Sequence, residues 1–129
     1  MPAAKLGLGY AYDGIKRLVD IVGPTFAKEI FFTARLFSAE EARIMGLVNR
    51  VVPKAEVESF VRDYAARIAA NAPLTVKAAK MAIEAATRDP ERRGLEKIEQ
   101  AVAECFVSQD YIEGRRAFME KRKPAFQGR

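Results

Sequence analysis

The sequence predicts a mainly α-helical chain, and three observations support this fold class. Apolar residues recur at spacings of three and four along most of the 129 residues, as they do on one face of a helix. Residues typical of helix N-caps, such as Ser38 and Ser108, precede these periodic segments. Only one short run, residues 47–52 with the sequence LVNRVV, has the β-branched composition of a strand.

The N-terminal part opens on a glycine-rich stretch, LGLGYAYDG, followed by two predicted helices. Asp13 is predicted to be the N-cap of a helix over residues 14–22, because its carboxylate is placed to accept from the free amides of that first turn. Gly23 and the proline after it end that helix, and a strongly apolar helix follows over residues 24–34.

A third short helix and the strand complete this part of the chain. The sequence SAEE predicts a capping box, in which Ser38 and Glu41 satisfy each other's backbone amides, and Gly46 is placed to end that helix. The strand over residues 47–52 stops at Pro53. It needs a partner strand from elsewhere, because its backbone groups require hydrogen bonds.

The second half is predicted to be helical throughout. An amphipathic helix over residues 56–70 precedes an alanine-rich helix over residues 73–87. Asp89 is predicted to cap the next helix, and Ser108 opens a last one that continues through Lys121. We find no internal repeat and no linker long enough to divide domains, so we expect a single region over residues 1–129.

Composition excludes several classes of function. The sequence has one cysteine and no histidine, so neither an intramolecular disulfide, a histidine-containing metal site nor a serine–histidine triad is available. We expect no metal site and no resident cofactor. No apolar run approaches the ~20 residues that span a bilayer, and no secretory signal is recognisable, so we expect a cytoplasmic protein without a membrane partner.

The net charge of +5 is concentrated at one end of the chain. Residues 1–114 carry sixteen basic and sixteen acidic side chains, whereas residues 115–129 carry six basic side chains and one acidic one, Glu120. A nucleic-acid-binding protein usually spreads its basic groups over a longer face. We therefore expect no nucleic-acid partner, and the short cluster suits a compact polyanion or an acidic surface of a partner.

Three ordered segments of the sequence resemble the enoyl-CoA hydratase/isomerase (crotonase) family. They are PAAKLGLGYAYDGIKRLVDIVG, AKEIFFTARLFSAEEARIMGLVNRVVP and EGRRAFMEKRKPAFQGR. The resemblance implies the C-terminal helical region of a crotonase-like (ClpP/crotonase) α/β fold, with one or two short strands and without the N-terminal spiral of ββα units. It divides the chain into the end of that core (residues 1–23), helices with a short strand (24–53) and a helical lid or oligomerisation segment (54–129).

The resemblance also implies chemistry on a coenzyme A thioester, the expected substrate. In the family, two backbone amides hold an enolate oxygen, and the segments that supply them would precede residue 1. Hydratases add two glutamates as acid and base, and the second falls at Ala3 here. Asp13 is the candidate catalytic residue that remains, with a plain N-cap as its alternative. We expect the chain alone to be inactive.

Five residues are predicted to contact the substrate. The glycines lack the spacing of a phosphate-binding loop, and the turn at Leu8, Gly9 and Tyr10 instead suits the lining of an acyl pocket. Phe118 and Lys121 share a helical face, and the resemblance implies that they contact the adenine end of coenzyme A. The alternative is that Phe118 belongs to the core and Lys121 is merely solvated.

The expected assembly is also compatible with a second, non-enzymatic class of function. The resemblance implies a homo-oligomer, a trimer or a hexamer, with these helices at the interfaces. A non-enzymatic helical module for protein interaction or oligomerisation would show the same periodicity, and this is the alternative to an acyl-CoA-processing enzyme.

Overall fold

The computed structural model describes residues 3–129 as two compact units, residues 3–55 and residues 56–129. Pro2, the proline of the motif that contains Ala3, lies outside the described residues. All regular secondary structure in the described part of the chain is helical. This confirms the mainly α fold class.

The first unit contains three α-helices: α1 (Ala3–Leu6), α2 (Tyr12–Thr33) and α3 (Ala39–Ile44). A 3₁₀ turn, Lys54–Glu56, lies at the division between the units. Helix α2 is kinked at Gly23, where φ is 75° and ψ is 165°. Only glycine occupies this backbone region readily, and Pro24 cannot donate a helical hydrogen bond. The two predicted helices are therefore the two arms of α2.

The predicted N-cap role of Asp13 is wrong, because α2 begins earlier than predicted. Ala11 occupies the N-cap position, with φ −66° and ψ 149°, and no side chain caps it. The carbonyl of Ala11 accepts from the amides of Gly14 and Ile15 at 3.1 and 3.3 Å. Asp13 is exposed within the first turn, where a negative charge still favours the positive end of the helix dipole.

Helix α3 confirms the predicted capping box. The Ser38 hydroxyl accepts from the amide of Glu41 at 3.2 Å, and the amide of Ser38 donates to the Glu41 carboxylate at 2.8 Å. Gly46 follows the helix with φ 79°, so the predicted end of this helix is also confirmed. A local sequence signal therefore fixed both ends of α3.

The predicted strand over residues 47–52 is wrong. Among the described residues no strand forms, and the amides of Leu47 and Val48 instead donate to the carbonyl of Ala42 at 2.9 and 3.3 Å. A strand exists only with a partner that completes its hydrogen-bond ladder, and the first unit is otherwise built from helices. The β-branched composition alone does not supply that partner.

The core of the first unit is small. Val22, Ala27 and Ile30 from the two arms of α2 are buried together with Met45, which caps the end of α3. Four partly buried apolar residues pack against this cluster: Leu18, Val19, Phe26 and Phe37. The kink at Gly23 brings both arms to one cluster.

The second unit contains four α-helices: α4 (Val57–Ala69), α5 (Pro73–Ala86), α6 (Leu95–Phe106) and α7 (Gln109–Met119). Helix α5 packs against α6, and the buried side chains on these helices are alanines, Ala78 and Ala85 on α5 and Ala101 on α6. Small side chains let the two helix backbones approach closely, so this unit buries few large residues.

Two of the predicted helix ends in the second unit differ from the structure. Asp89 precedes a separate 3₁₀ turn, Pro90–Arg92, and α6 begins only after Gly94, whose φ is 61°. The Ser108 hydroxyl accepts from the amide of Tyr111 at 3.0 Å, which confirms this N-cap. Helix α7 ends at Met119 rather than at Lys121, and Lys121 has a left-handed backbone with φ 53°.

Much apolar surface remains exposed. The solvent-accessible area is 10,358 Å². Even two separate globules of these sizes would expose only about 8,200 Å². Large apolar side chains contribute to the excess, including Leu36 at 96%, Val107 at 82% and Phe32 at 75% of their full exposure. The described residues thus present apolar faces that their own core does not use.

Candidate functional site

An apolar cavity of about 370 Å³ lies in the first unit, between α1, the glycine-rich turn and α2. The turn is closed by a hydrogen bond from the amide of Leu8 to the carbonyl of Ala3 at 3.1 Å, and Gly7 adopts φ 65° within it. The rings of Tyr10 and Phe31 meet edge to face with their centres 5.2 Å apart. This packing fixes one wall of the cavity.

Several residues of the predicted acyl pocket converge on this cavity. Leu8 and Tyr10 both line it, and Gly9 lies between them in the turn. Ala3, where the sequence resemblance places a second acid/base carboxylate, lines the same cavity. Asp13 does not line it and is exposed in the first turn of α2.

The sequence prediction missed residues that α2 adds to this cavity. Lys28 and Phe31 line it from the second arm of α2, and Lys28 is the one charged side chain among the described lining residues. Their spacing of three residues places them on one face of the helix, which was the available signal. Their closeness to Leu8 and Tyr10 depends on how α2 packs against the turn.

A second apolar cavity, of about 610 Å³, lies in the second unit between α5, α6 and α7. Phe118 lines it and is 82% exposed, so the alternative that Phe118 belongs to the core is wrong. Lys121 is not among its lining residues. Because α7 ends at Met119, Phe118 and Lys121 do not share a helical face and are joined instead by a turn, in which the Lys121 amide donates to the Phe118 carbonyl at 3.2 Å.

The C-terminal cluster of charge is partly neutralised by the chain itself. The Arg122 guanidinium donates to both carboxylate oxygens of Glu113, at 2.6 and 3.0 Å, and the amide of Ala125 donates to the same carboxylate at 2.9 Å. The guanidinium first, and then that amide, lower the pKa of Glu113 to about 2. Glu113 in turn raises the pKa of Arg122, which also pairs with Glu120.

Asp110 is the most deeply buried charged residue of the described chain, 3% exposed near the start of α7. One carboxylate oxygen accepts from the amide of Gln127 and the other from the amide of Gly128, both at 2.7 Å. Sequence motifs predicted no role for Asp110 or Glu113. Their hydrogen bonds have no local signal, because the partners lie nine to eighteen residues further along the chain.

Two further properties concern the described residues, 3–129. They contain no group of three or more His, Cys, Asp or Glu side chains placed to hold a metal ion. None of their helices combines the length and the apolar character needed to cross a membrane.

The structure thus defines a class of protein, a helical region with apolar cavities and uncovered apolar faces. The sequence profile described as enoyl-CoA hydratase/isomerase matches residues 1–129, the whole chain. The chain belongs to the enoyl-CoA hydratase/isomerase family. The predicted family is therefore confirmed.

Individual relatives agree with this assignment. The chain is 36% identical over 133 residues to a carnitinyl-CoA dehydratase of Salmonella paratyphi A, which covers 100% of this chain and 51% of the relative. It is 37% identical over 122 residues to a short-chain-enoyl-CoA hydratase of Clostridium acetobutylicum, and the match covers 95% of this chain and 47% of the relative. The crystal structure of an enoyl-CoA hydratase from Bacillus anthracis superposes with a TM-score of 0.84 at 36% identity. The superposition covers 97% of this chain and 48% of that structure.

The chain spans about half the length of the curated relatives that it matches. This share agrees with the predicted likeness to the C-terminal half of the family.

Proposed function

We propose that this chain is the C-terminal, substrate-binding part of an enzyme that adds water to, or moves the double bond of, an enoyl-CoA. The observation that carries the proposal is the convergence of Ala3, Leu8 and Tyr10 on one apolar cavity in a chain of this family. An apolar cavity with few polar groups is the kind of site that accepts an acyl chain.

The proposed division of labour follows from which groups the chain has. The turn at Leu8, Gly9 and Tyr10 surrounds the acyl end of the thioester, and its backbone approaches closely because of its glycines. The oxyanion-binding amides belong to a part of the enzyme outside this chain. The chain alone is therefore inactive in this proposal.

The site lacks the second carboxylate that acid/base chemistry on water uses in this family. Hydration by two carboxylates requires a second one at the cavity, and Ala3 offers only a methyl group there. Asp13 is the proposed acid/base group, since it is the only carboxylate of the glycine-rich stretch.

We also propose that Phe118 and Lys121 contact the adenine end of coenzyme A, within the second unit or against a neighbouring copy. The Phe118 ring is available for stacking because it is 82% exposed. An ammonium group close by in the chain suits the phosphates of the same ligand.

The proposed assembly is a homo-oligomer, a trimer or a hexamer. Its support is the large exposed apolar area of the described residues, since faces of this kind are usually interaction sites. The proposed compartment is the cytoplasm. Proteins of oxidising compartments are often stabilised by disulfides, and a single cysteine cannot form one within this chain.

The test is a fusion of the N-terminal half of the Clostridium acetobutylicum hydratase to this chain, assayed with crotonyl-CoA. The chain alone should give no turnover. In the fusion, Ala3→Glu should raise hydration by about 10²- to 10⁴-fold, because it restores a carboxylate at the cavity. Ala11→Glu, a change at an exposed position of the same stretch that does not line this cavity, should not raise hydration.

The same fusion tests the two other proposed roles. Lys121→Glu should weaken crotonyl-CoA binding about tenfold, because one charged hydrogen bond to phosphate is lost. Lys54→Glu serves as the charge-matched control. Equal affinities of the two variants would remove Lys121 as a contact, and full activity of Asp13→Asn would remove Asp13 from the chemistry. A fusion that folds but neither binds nor turns over crotonyl-CoA would favour the helical interaction module instead.

A further inference from the structure

The end of the chain, residues 122–129, forms neither helix nor strand and runs beside α7, and we call it the strap. Its side chains contribute to two different surfaces. Phe126 lines the apolar cavity of the second unit. Ala125, Gln127 and Arg129 line a polar groove on the other side, with a volume of about 500 Å³. The strap therefore separates an apolar cavity from a polar groove.

Two carboxylates on one face of α7 hold the strap. Asp110 accepts from the amides of Gln127 and Gly128, and its own amide donates to the carbonyl of Arg129 at 3.1 Å. Glu113 accepts from the amide of Ala125 and from the Arg122 guanidinium. These two residues, three positions apart in α7, thus anchor the strap along most of its length.

An aromatic contact completes the attachment. A Cβ atom at Gly114 would lie 3.4 Å from the ring of Phe126, so the absence of a side chain at Gly114 lets the ring rest close to α7. Gly128 has φ 76°, which turns the end of the strap where its amide meets Asp110. Lys121, with φ 53°, marks the change of direction from α7 into the strap.

We propose that the strap is a hinged lid on the apolar cavity, latched by Asp110 and Glu113, which opens while α5, α6 and α7 stay folded. Opening breaks the carboxylate links, the hydrogen bond from the Asp110 amide to the Arg129 carbonyl and the Phe126 contact, but no hydrogen bond within a helix. The released amides and carboxylates are then hydrated, so the cost is that of a local opening rather than of unfolding the unit. The hinge is the turn at Lys121.

Amide hydrogen exchange on the full chain tests the latch. Asp110→Asn keeps the shape of the side chain but places an NH₂ group where an acceptor is needed, so the amides of Gln127 and Gly128 should exchange roughly ten- to hundredfold faster. Glu113→Gln should do the same at Ala125. The amides of α5 and α6 should keep their wild-type rates in both variants. Asp63→Asn, an exposed change on α4, is the matched control.

Two outcomes of this exchange experiment would overturn the proposal. Unchanged exchange at Ala125, Gln127 and Gly128 would mean that the carboxylates do not latch the strap. Equal acceleration across the strap, α5 and α6 would mean that they support the whole unit instead.

A measurement on the unmodified chain guards against variants that fail to fold. Exchange through a local opening depends weakly on denaturant, whereas exchange through global unfolding depends on it steeply. We expect the weak dependence at Gln127 and Gly128 and the steep one in α5 and α6. A steep dependence at the strap amides would contradict an independent lid.

Cys105 reports on the cavity itself. It is the single cysteine of the sequence, is partly buried and lines the cavity that the strap borders. If the strap is a lid, Asp110→Asn should speed the reaction of this thiol with 5,5′-dithiobis(2-nitrobenzoate) severalfold relative to Asp63→Asn. Faster exchange in the strap without faster labelling of Cys105 would mean that the strap moves but does not cover the cavity.

Discussion

Glu113 is a surface carboxylate that links parts of the chain distant in sequence. Its side chain is 19% exposed. The carboxylate accepts two hydrogen bonds from the Arg122 guanidinium, which form a bidentate fork, and one from the amide of Ala125. Charged bidentate pairs of this kind are stronger and more directional than single ion pairs. This pairing lowers the pKa of Glu113 to about 2.

This pKa predicts a pH dependence of stability. Because the folded pKa lies below the ordinary value of 4.5, the contribution of Glu113 to stability is fully present above pH 4.5 and is lost as the pH falls towards about 2. Urea unfolding at a series of pH values should show wild type more stable than Glu113→Gln at neutral pH. The difference should vanish between pH 4.5 and 2.

The control for this prediction is Glu99→Gln, an exposed carboxylate on α6. The stability of Glu99→Gln in urea unfolding should differ little from that of wild type at neutral pH. A stability gap between wild type and Glu113→Gln that stays constant down to pH 2 would rule out the fork as its source.

Helix α2 is the element whose shape depends most on one residue. Gly23 adopts φ 75° and ψ 165° in the middle of the helix, and Pro24 removes the next amide donor. The resulting bend lets Val22 on one side and Ile30 on the other reach the same buried cluster. The kink is thus a requirement of the first unit's core.

Gly23→Ala should destabilise the chain by about 1–3 kcal/mol, because alanine is strained in this backbone region. The matched control is Gly14→Ala in the same helix, whose φ is not positive. Alanine there should stabilise the helix by about 0.5–1 kcal/mol. Neither new methyl group would meet an atom within 4 Å, so the comparison isolates the backbone.

Thermal or urea unfolding measures both glycine variants. Shifts of the same sign and size in Gly23→Ala and Gly14→Ala would contradict a backbone origin of the kink.

On the scale of the whole molecule, the main feature is apolar surface without a cover. Helix α4 illustrates it: the predicted amphipathic helix forms, yet its apolar stripe remains about half exposed, with Val61 at 56% and Tyr64 at 54%. Amphipathic helices usually gain their stability by packing that face. The described residues therefore present faces suited to other chains or to the rest of a longer protein.

We accordingly predict that the purified chain self-associates. Sedimentation velocity should show an average mass that rises with protein concentration, since apolar burial is the driving force. The association should persist at high salt, which screens exposed charges but not apolar contacts. A monomer at every concentration, or an assembly that salt dissolves, would contradict this prediction.

The sequence by itself determined the features that neighbouring residues control. The capping box of Ser38 and Glu41, the N-cap at Ser108 and the break at Gly23 each involve groups within four positions, so local chemistry suffices. The order of motifs was also enough to identify the family. Helical periodicity gave the fold class for the same reason.

Tertiary structure alone decided the rest, because it depends on contacts between residues far apart in sequence. It left residues 47–52 without a strand partner, placed Phe118 on the surface and brought Tyr10 against Phe31. It also joined Asp110 to Gly128 across eighteen residues. No local pattern encodes such pairs, since the free energy that selects them comes from closing the chain onto itself.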